Sequence, residues 1–334
     1  MTDQVVERIR NYTYASKDAS VMSKYYYPIC KFILEFIPLS ISPNVITLFG
    51  MFTVMFSTFL LSFEISSISI AFSSLCLLIY QLCDALDGMQ GKRTNMYYNP
   101  TTEIFDHGCD SIVVTLSLIN FLLIFKPSNF AAIITFICVT SIFYFPTWEH
   151  LHTKIMNFRP LLCNPTESLF ALEVSYLVLA LCPQFIRSKV VLYGIILMQA
   201  LHAVYVIYDS TKNVLSSNMS TLVSKIKTLF PMLLVIYLLI HNSSILDMYI
   251  WISIATTWNY AVLELIWSEI TGMDYNIFGF IAIFAKQLLF PHDIILNIFH
   301  LIHRSNKYVN IMCENLNMKY FWTLPINERD KLHN

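Results

Sequence analysis

The sequence predicts an all-α, polytopic integral membrane protein with eight to ten transmembrane helices and an N-terminal interfacial helix. Three observations carry that prediction. Of 334 residues, 56 % are hydrophobic and 13 % charged, against roughly 45–50 % and about 25 % in a soluble globular chain. Six stretches (45–63, 65–83, 111–125, 129–148, 190–208 and 228–246) contain no Asp, Glu, Lys or Arg. Each approaches or reaches the ~20 apolar residues that cross a ~30 Å hydrocarbon core as helix. A transmembrane barrel is excluded, because it needs ~10-residue segments of alternating polarity. Nucleic-acid binding by bulk charge is excluded as well, since the net charge is −1 and no basic stripe occurs.

Residues 1–24 are polar and mixed in charge, with no apolar signal region. Residues 25–40 combine aromatic side chains with Lys31, Glu35 and a proline near each end, which suits a helix lying in the membrane interface. Pro43 and Asn44 open a first span to about 63, and a turn at Glu64 leads to a second over about 65–86. The segment 88–102 reads as a polar loop. A third span covers about 103–125, Lys126-Pro127-Ser128 turns the chain, and a fourth returns to about 148. After a polar connection at 149–166, spans follow near 167–185, 190–208, 228–243 and 248–268. The stretch 276–303 is broken by Lys286 and Pro291-His292-Asp293, so it forms either two short spans or a re-entrant hairpin.

With ten spans, 17 of the 21 Lys and Arg residues collect on one side and three (Lys126, Arg187, Lys189) on the other, with Lys286 inside. The positive-inside rule then puts both termini and the 88–102 loop in the cytosol. The expected organisation is a cytosolic arm and interfacial helix (1–43), a catalytic core (44–210), C-terminal transmembrane helices (211–303) and a cytosolic tail (304–334). The eight cysteines form no CxxC pair and lie mostly in apolar stretches, as small buried hydrophobes do. Lys331-Leu332-His333-Asn334 matches no retention or lipidation signal.

Charge at membrane depth costs about 2.5–3.5 kcal/mol per residue on insertion scales and marks function. Here it gathers at the end of the second span and the start of the third. Asp84 and Asp87 are three residues apart and share a helical face; Glu103, Asp106, His107 and Asp110 fall at i, i+3, i+4 and i+7 and share another. A helical hairpin brings the two faces together. Converging carboxylates need cations, and hard divalent ions with oxygen ligands, Mg²⁺ foremost, fit while keeping positions open for substrate phosphates. Two ions ~4 Å apart would clamp both sides of a phosphoryl displacement. Three of only seven glycines (Gly88, Gly91, Gly108) fall in this window, where they let phosphates or a neighbouring helix approach the backbone. Lys92 and Arg93 supply positive charge for phosphate. Glu173 and Glu264 in apolar spans read as interior polar contacts, and His150 with His152 as interface residues rather than metal ligands.

The run Asp84-Ala-Leu-Asp87-Gly88-Met-Gln-Gly91-Lys92, followed by Asp106-His-Gly-Cys-Asp110, resembles the signature of the CDP-alcohol phosphatidyltransferase family. Its wording is similar to the eukaryotic choline/ethanolamine phosphotransferase branch. The similarity extends to Tyr12-Thr-Tyr14, Ser42-Pro43-Asn44-Val-Ile-Thr47, Phe145-Pro-Thr-Trp148-Glu149 and Pro165-Thr166-Glu167, covering about 12–170. The resemblance implies a ten-helix, homodimeric, Mg²⁺- or Mn²⁺-dependent enzyme of the endoplasmic reticulum or Golgi. It would transfer phosphocholine or phosphoethanolamine from CDP-choline or CDP-ethanolamine to diacylglycerol, releasing CMP. It places Asp84, Asp87, Asp106 and Asp110 on metal-ligand positions, and Asn44 and Lys92 on positions contacting the CDP moiety. His107 falls on the general base and Glu103 on the acid that supports it.

Chemistry agrees with the last pair, because an imidazole titrating near neutrality can take the proton of a lipid hydroxyl. Asp110 is the rival base. The sequence departs from the signature at Gly91 (alanine there), Lys92 (arginine) and Thr102 (glycine), with nine residues instead of eight between the last two. Lys92 keeps charge without bidentate recognition, and Arg93 stands one residue on. Two alternatives stay open: a CDP-diacylglycerol-dependent transfer to a small alcohol such as inositol, and a membrane scaffold or transporter. A transporter should carry polar residues through several spans to the midplane, whereas these acids gather at one mouth.

Overall fold

The computed structural model describes residues 2–97, 99–159 and 164–325; Cys163 and Lys331–Asn334 lie outside the described residues. The architecture is all-α apart from one pair of three-residue strands. Helix α1 (Asp3–Arg10) and strand β1 (Ser16–Asp18) precede α2 (Ser23–Leu34), α3 (Pro43–Phe63), α4 (Ser67–Arg93), α5 (Pro100–Phe125) and α6 (Asn129–Thr153). Strand β2 (Met156–Phe158) is followed by α7 (Pro165–Leu181), α8 (Lys189–Ser216), α9 (Leu222–His241), α10 (Met248–Thr271), α11 (Ile277–Leu289) and α12 (Ile294–Asn315). Among the described residues, six helices (α3, α4, α5, α6, α8, α9) are long and apolar enough to cross a membrane.

Local chemistry sets most boundaries. Pro43 and Pro100 sit at the first positions of α3 and α5, where a missing N–H costs nothing. Ser66 and Ser69 form a capping box at the start of α4. Asn99 and Asn164 accept from the backbone N–H groups of Thr101 and Thr166 to open α5 and α7. The bundle turns many apolar side chains outward, Phe52, Phe56 and Phe59 of α3 among them, as a bundle solvated by lipid does. α10 does the opposite: from Ser253 to Thr271 it is buried on every side, with α1, α5, α6, α9, α11 and α12 packed around it.

Three sequence expectations change. The polar loop expected at 88–102 is mostly helix, because α4 continues through Gly88 and Gly91 to Arg93 and only 94–99 connects it to α5. Asn95 takes a positive φ of 56°, and the Met96 N–H closes the turn on the Gly91 carbonyl at 2.8 Å. The stretch 276–303 resolves into α11 and α12, separated at Pro291, and α12 carries helix to Asn315, past the expected start of the tail. The polar arm folds as well. β1 pairs in parallel with β2, Ser16 opposite Met156, and Glu167 accepts from the Val21 and Met22 N–H groups at 2.6 and 3.0 Å. This arrangement pins residues 12–22 across the ends of α6 and α7. α2 then buries Tyr26, Cys30 and Leu34 and leaves Tyr25, Ile29 and Phe32 exposed, a sidedness that suits an interface.

Candidate active site

α3 and α4 approach closely because Gly50 has no side chain: a Cβ there would stand 2.9 Å from Cys83 Cβ and 3.2 Å from Tyr80 Cδ2. The contact aligns the polar ends of the two helices, and α5 closes the third side. Carboxylate oxygens of Asp84, Asp106 and Asp110 lie within 4.8 Å of one another, all half-buried. An octahedral ion with ~2.1 Å bonds wants its oxygens roughly 3–4 Å apart, so these three could hold a hard divalent cation. Asp87 is buried beside them and accepts from the Thr47 hydroxyl of α3, while Asp110 accepts from the Tyr80 hydroxyl of α4. Gly88 and Gly108 face open space, with no atom within 4 Å of a Cβ position. A Cβ at Gly91 would instead meet the backbone of Tyr97, 3.4 Å from its Cα.

The other predicted residues divide. Lys92 is exposed, with its ammonium 4.8 Å from the Tyr97 ring. Arg93 Nη1 donates to the Leu34 and Ile37 carbonyls at 2.5 and 3.4 Å, so it ties α4 to the end of α2. Asn44 is fully buried; its amide donates to the Phe321 carbonyl at 2.8 Å, and its Oδ1 has no hydrogen-bond partner. Phe321 also stacks on Phe105 at 4.7 Å, which lays the segment after α12 across this mouth. Thr102 turns its hydroxyl to the Met96 carbonyl at 3.2 Å, so the departure from glycine and the added residue are absorbed within the short connection.

Glu103 and His107 lie one helical turn apart with Oε1 and Nδ1 separated by 3.8 Å, longer than a hydrogen bond, and Nδ1 has no partner. Around Glu103 stands a second buried group. The Tyr12 hydroxyl bonds to Glu103 and also to Glu269 Oε2 at 2.9 Å. His150 Nδ1 is 3.6 Å from Glu103 Oε1, and its Nε2 is 4.0 Å from Glu269 Oε1. Lys154 reaches Glu269 Oε1 at 3.4 Å. The Tyr14 ring lies edge-on between the two imidazoles, 5.7 Å from His107 and 5.6 Å from His150. Burial, and then the charges of Glu103 and Glu269, push the Tyr12 hydroxyl far above its ordinary pKa, so it stays neutral. Burial lowers Lys154, with the Glu269 carboxylate opposing that effect.

Glu269, Tyr80 and Lys154 are given no site role by the sequence reading, and Thr47 appears there only as part of the similar stretch Ser42–Thr47. Glu269 has one available signal, an acid just beyond an apolar run; a tyrosine in a span has none. His150 and His152 separate as the helical period demands: His152 Nε2 meets the Thr228 hydroxyl and Nδ1 the Ser220 hydroxyl, each at 2.8 Å, away from the acids. Glu264 pairs with Arg304 at 2.7 Å and accepts from the Tyr308 hydroxyl at 2.6 Å, the interior contact expected of it.

Comparison with known proteins bears out the resemblance read from the motifs. Cholinephosphotransferase 1 of Saccharomyces cerevisiae is 28 % identical over 178 residues, 51 % of this chain and 45 % of the relative. Choline/ethanolaminephosphotransferase 1 of Arabidopsis thaliana is 29 % identical over 182 residues, with the same two shares. An uncharacterized CDP-alcohol phosphatidyltransferase class-I family protein 3 of Dictyostelium discoideum is 30 % identical over 177 residues, 48 % of this chain and 43 % of the relative. The chain thus spans about half the length of the curated relatives it matches. No protein-family model matches it.

Proposed function

We propose that this chain is a CDP-alcohol phosphotransferase of the choline/ethanolamine type, forming phosphatidylcholine or phosphatidylethanolamine and CMP from a CDP-alcohol and diacylglycerol. One observation carries the reading: carboxylates of Asp84, Asp106 and Asp110 from two facing helices converge, and His107, next to Asp106, is a buried imidazole whose Nδ1 has no hydrogen-bond partner. Relatives with choline- and ethanolaminephosphotransferase names support the class.

In this reading Asp84, Asp87, Asp106 and Asp110 hold Mg²⁺ or Mn²⁺, as two ions, which supply charge neutralisation for the pyrophosphate and the departing CMP. Thr47 and Tyr80 fix two of the four carboxylates. Gly88 and Gly108 leave room for the phosphates, Asn44 meets the CDP moiety, and Gly91, Lys92 and Arg93 shape and charge the approach. His107 takes the proton of the diacylglycerol hydroxyl as that oxygen bonds to the β-phosphorus. The bond from that phosphorus to the CMP oxygen breaks, and Glu103 stabilises the imidazolium that results. The enzyme works as a homodimer in the endoplasmic reticulum or Golgi membrane, with the active site and both termini facing the cytosol.

The test is CMP release from CDP-choline and from CDP-ethanolamine with diacylglycerol, with and without Mg²⁺. Activity without any divalent ion, or undiminished activity in Asp106→Ala, defeats the scheme. An active His107→Ala beside a dead Asp110→Asn transfers the base role to Asp110.

A further inference from the structure

Glu103 stabilises the His107 imidazolium in this reading, yet its own helix does little to hold it. The gap to His107 is 3.8 Å, and the hydrogen bond that fixes the Glu103 carboxylate comes from Tyr12, 91 residues away. The same hydroxyl reaches Glu269 Oε2, 257 residues from Tyr12. We propose that Glu269, acting through Tyr12, is a positioning residue that sets the Glu103 carboxylate opposite His107 Nδ1. The inference rests on the reaction proposed above and adds residues that its signature does not contain.

The geometry separates this role from a simple ion pair between helices. Holding α6 to α10 needs only Lys154 and Glu269 Oε1; the second oxygen is turned to Tyr12. The arm that carries Tyr12 is itself anchored at Glu269, because Arg8 Nη2 donates to the Glu269 carbonyl at 3.1 Å. The single Tyr12 hydroxyl stands between the two carboxyl groups, so it couples the position of one to that of the other. Glu269 is 5 % exposed on a helix buried on every side from Ser253 to Thr271, a place where an acid is destabilising unless every oxygen is used. His150 fills the remaining side of the group, within 4.0 Å of both carboxylates. A network spanning the arm, α5, α6 and α10 can hold Glu103 still where a single turn of helix cannot.

The experiment uses the full chain in lipid nanodiscs with Mg²⁺, following CMP release and thermal melting. Tyr12→Phe and Glu269→Ala are expected to lower kcat by about tenfold or more, with KM for CDP-choline and diacylglycerol changed less than about twofold. Glu269→Gln keeps an acceptor oxygen for Tyr12 and is expected to recover most of kcat. In a Glu103→Ala background, Glu269→Ala is expected to cause no further loss, because the group it positions is gone. Tyr12→Phe and Glu269→Gln are near-isosteric, so they keep the test open if Glu269→Ala melts early. Unchanged kcat in Tyr12→Phe and Glu269→Ala, or losses that multiply with Glu103→Ala, overturn the inference and leave the proposed reaction standing. Absence of CMP release by the unmodified protein with either CDP-alcohol overturns both.

Discussion

Replacing Gly50 by alanine puts a methyl group where α3 and α4 touch, and the structure gives the size of the disturbance. The new Cβ would stand 2.9 Å from Cys83 Cβ, 3.2 Å from Tyr80 Cδ2 and 3.4 Å from Tyr80 Cα. Carbon atoms settle about 3.5–4.0 Å apart, so the helices must part by roughly 0.6–1 Å at this level. Rotamer changes cannot relieve it, since a Cβ and a Cα follow the backbone. Overpacking of this kind costs about 1–3 kcal/mol. The functional loss is expected to be larger than the loss of stability. Tyr80 holds Asp110 of α5 by its hydroxyl, and Asp84 follows Cys83 directly, so the displaced turn carries one of the converging carboxylates and the hydroxyl that fixes a second. A shift near 1 Å in such a constellation costs up to about a hundredfold in rate. CMP release and the melting temperature of Gly50→Ala are the measurements. Adding Cys83→Gly removes the opposing Cβ and is expected to restore part of the rate, less about 1 kcal/mol of stability for a glycine inside a helix. Wild-type rate and melting in Gly50→Ala, or a further loss on adding Cys83→Gly, would refute the argument.

Chelation is expected to abolish CMP release and added Mg²⁺ or Mn²⁺ to restore it; release that survives EDTA removes the cation from the scheme. Arg159→Met removes the guanidinium 2.6 Å from the fully buried Glu149, leaving that carboxylate two neutral amides, Asn157 and Asn213, and no cation in place of Arg159; it is expected to cost about 3 kcal/mol, read as a fall in melting temperature. Burial, helped by the Asp84 charge, pushes the Cys30 thiol up to about 11. Because the raised pKa favours the neutral thiol, the reactive thiolate is scarce through pH 8 and grows only towards pH 11. Maleimide labelling is therefore expected to reach the half-buried Cys182 before Cys30, and rapid labelling of Cys30 at pH 7–8 would contradict the burial described here.

Much of the fold is legible in sequence because its determinants are local. A run free of charge reads as a span wherever it occurs, and Pro43 announces the start of α3 because its missing N–H costs nothing at the first helical position. The aspartate stripes are legible for the same reason, since spacings of three and four are a property of one helix. The segment 88–102 misleads because glycines and polar residues look like loop when their surroundings are unknown. α4 runs on through Gly88 and Gly91 to Arg93, and the chain that folds back at Asn95 packs on Gly91.

The sequence by itself determined the solvent of this protein, its helical class and the acids that make it a candidate enzyme. Only the tertiary structure decided what those acids touch. Thr47 finds Asp87 and Tyr80 finds Asp110 through the contact at Gly50. Glu103 is held by an arm and a central helix that nothing near it in sequence announces. A helical period fixes which residues share a face, and the packing of distant helices fixes what that face meets.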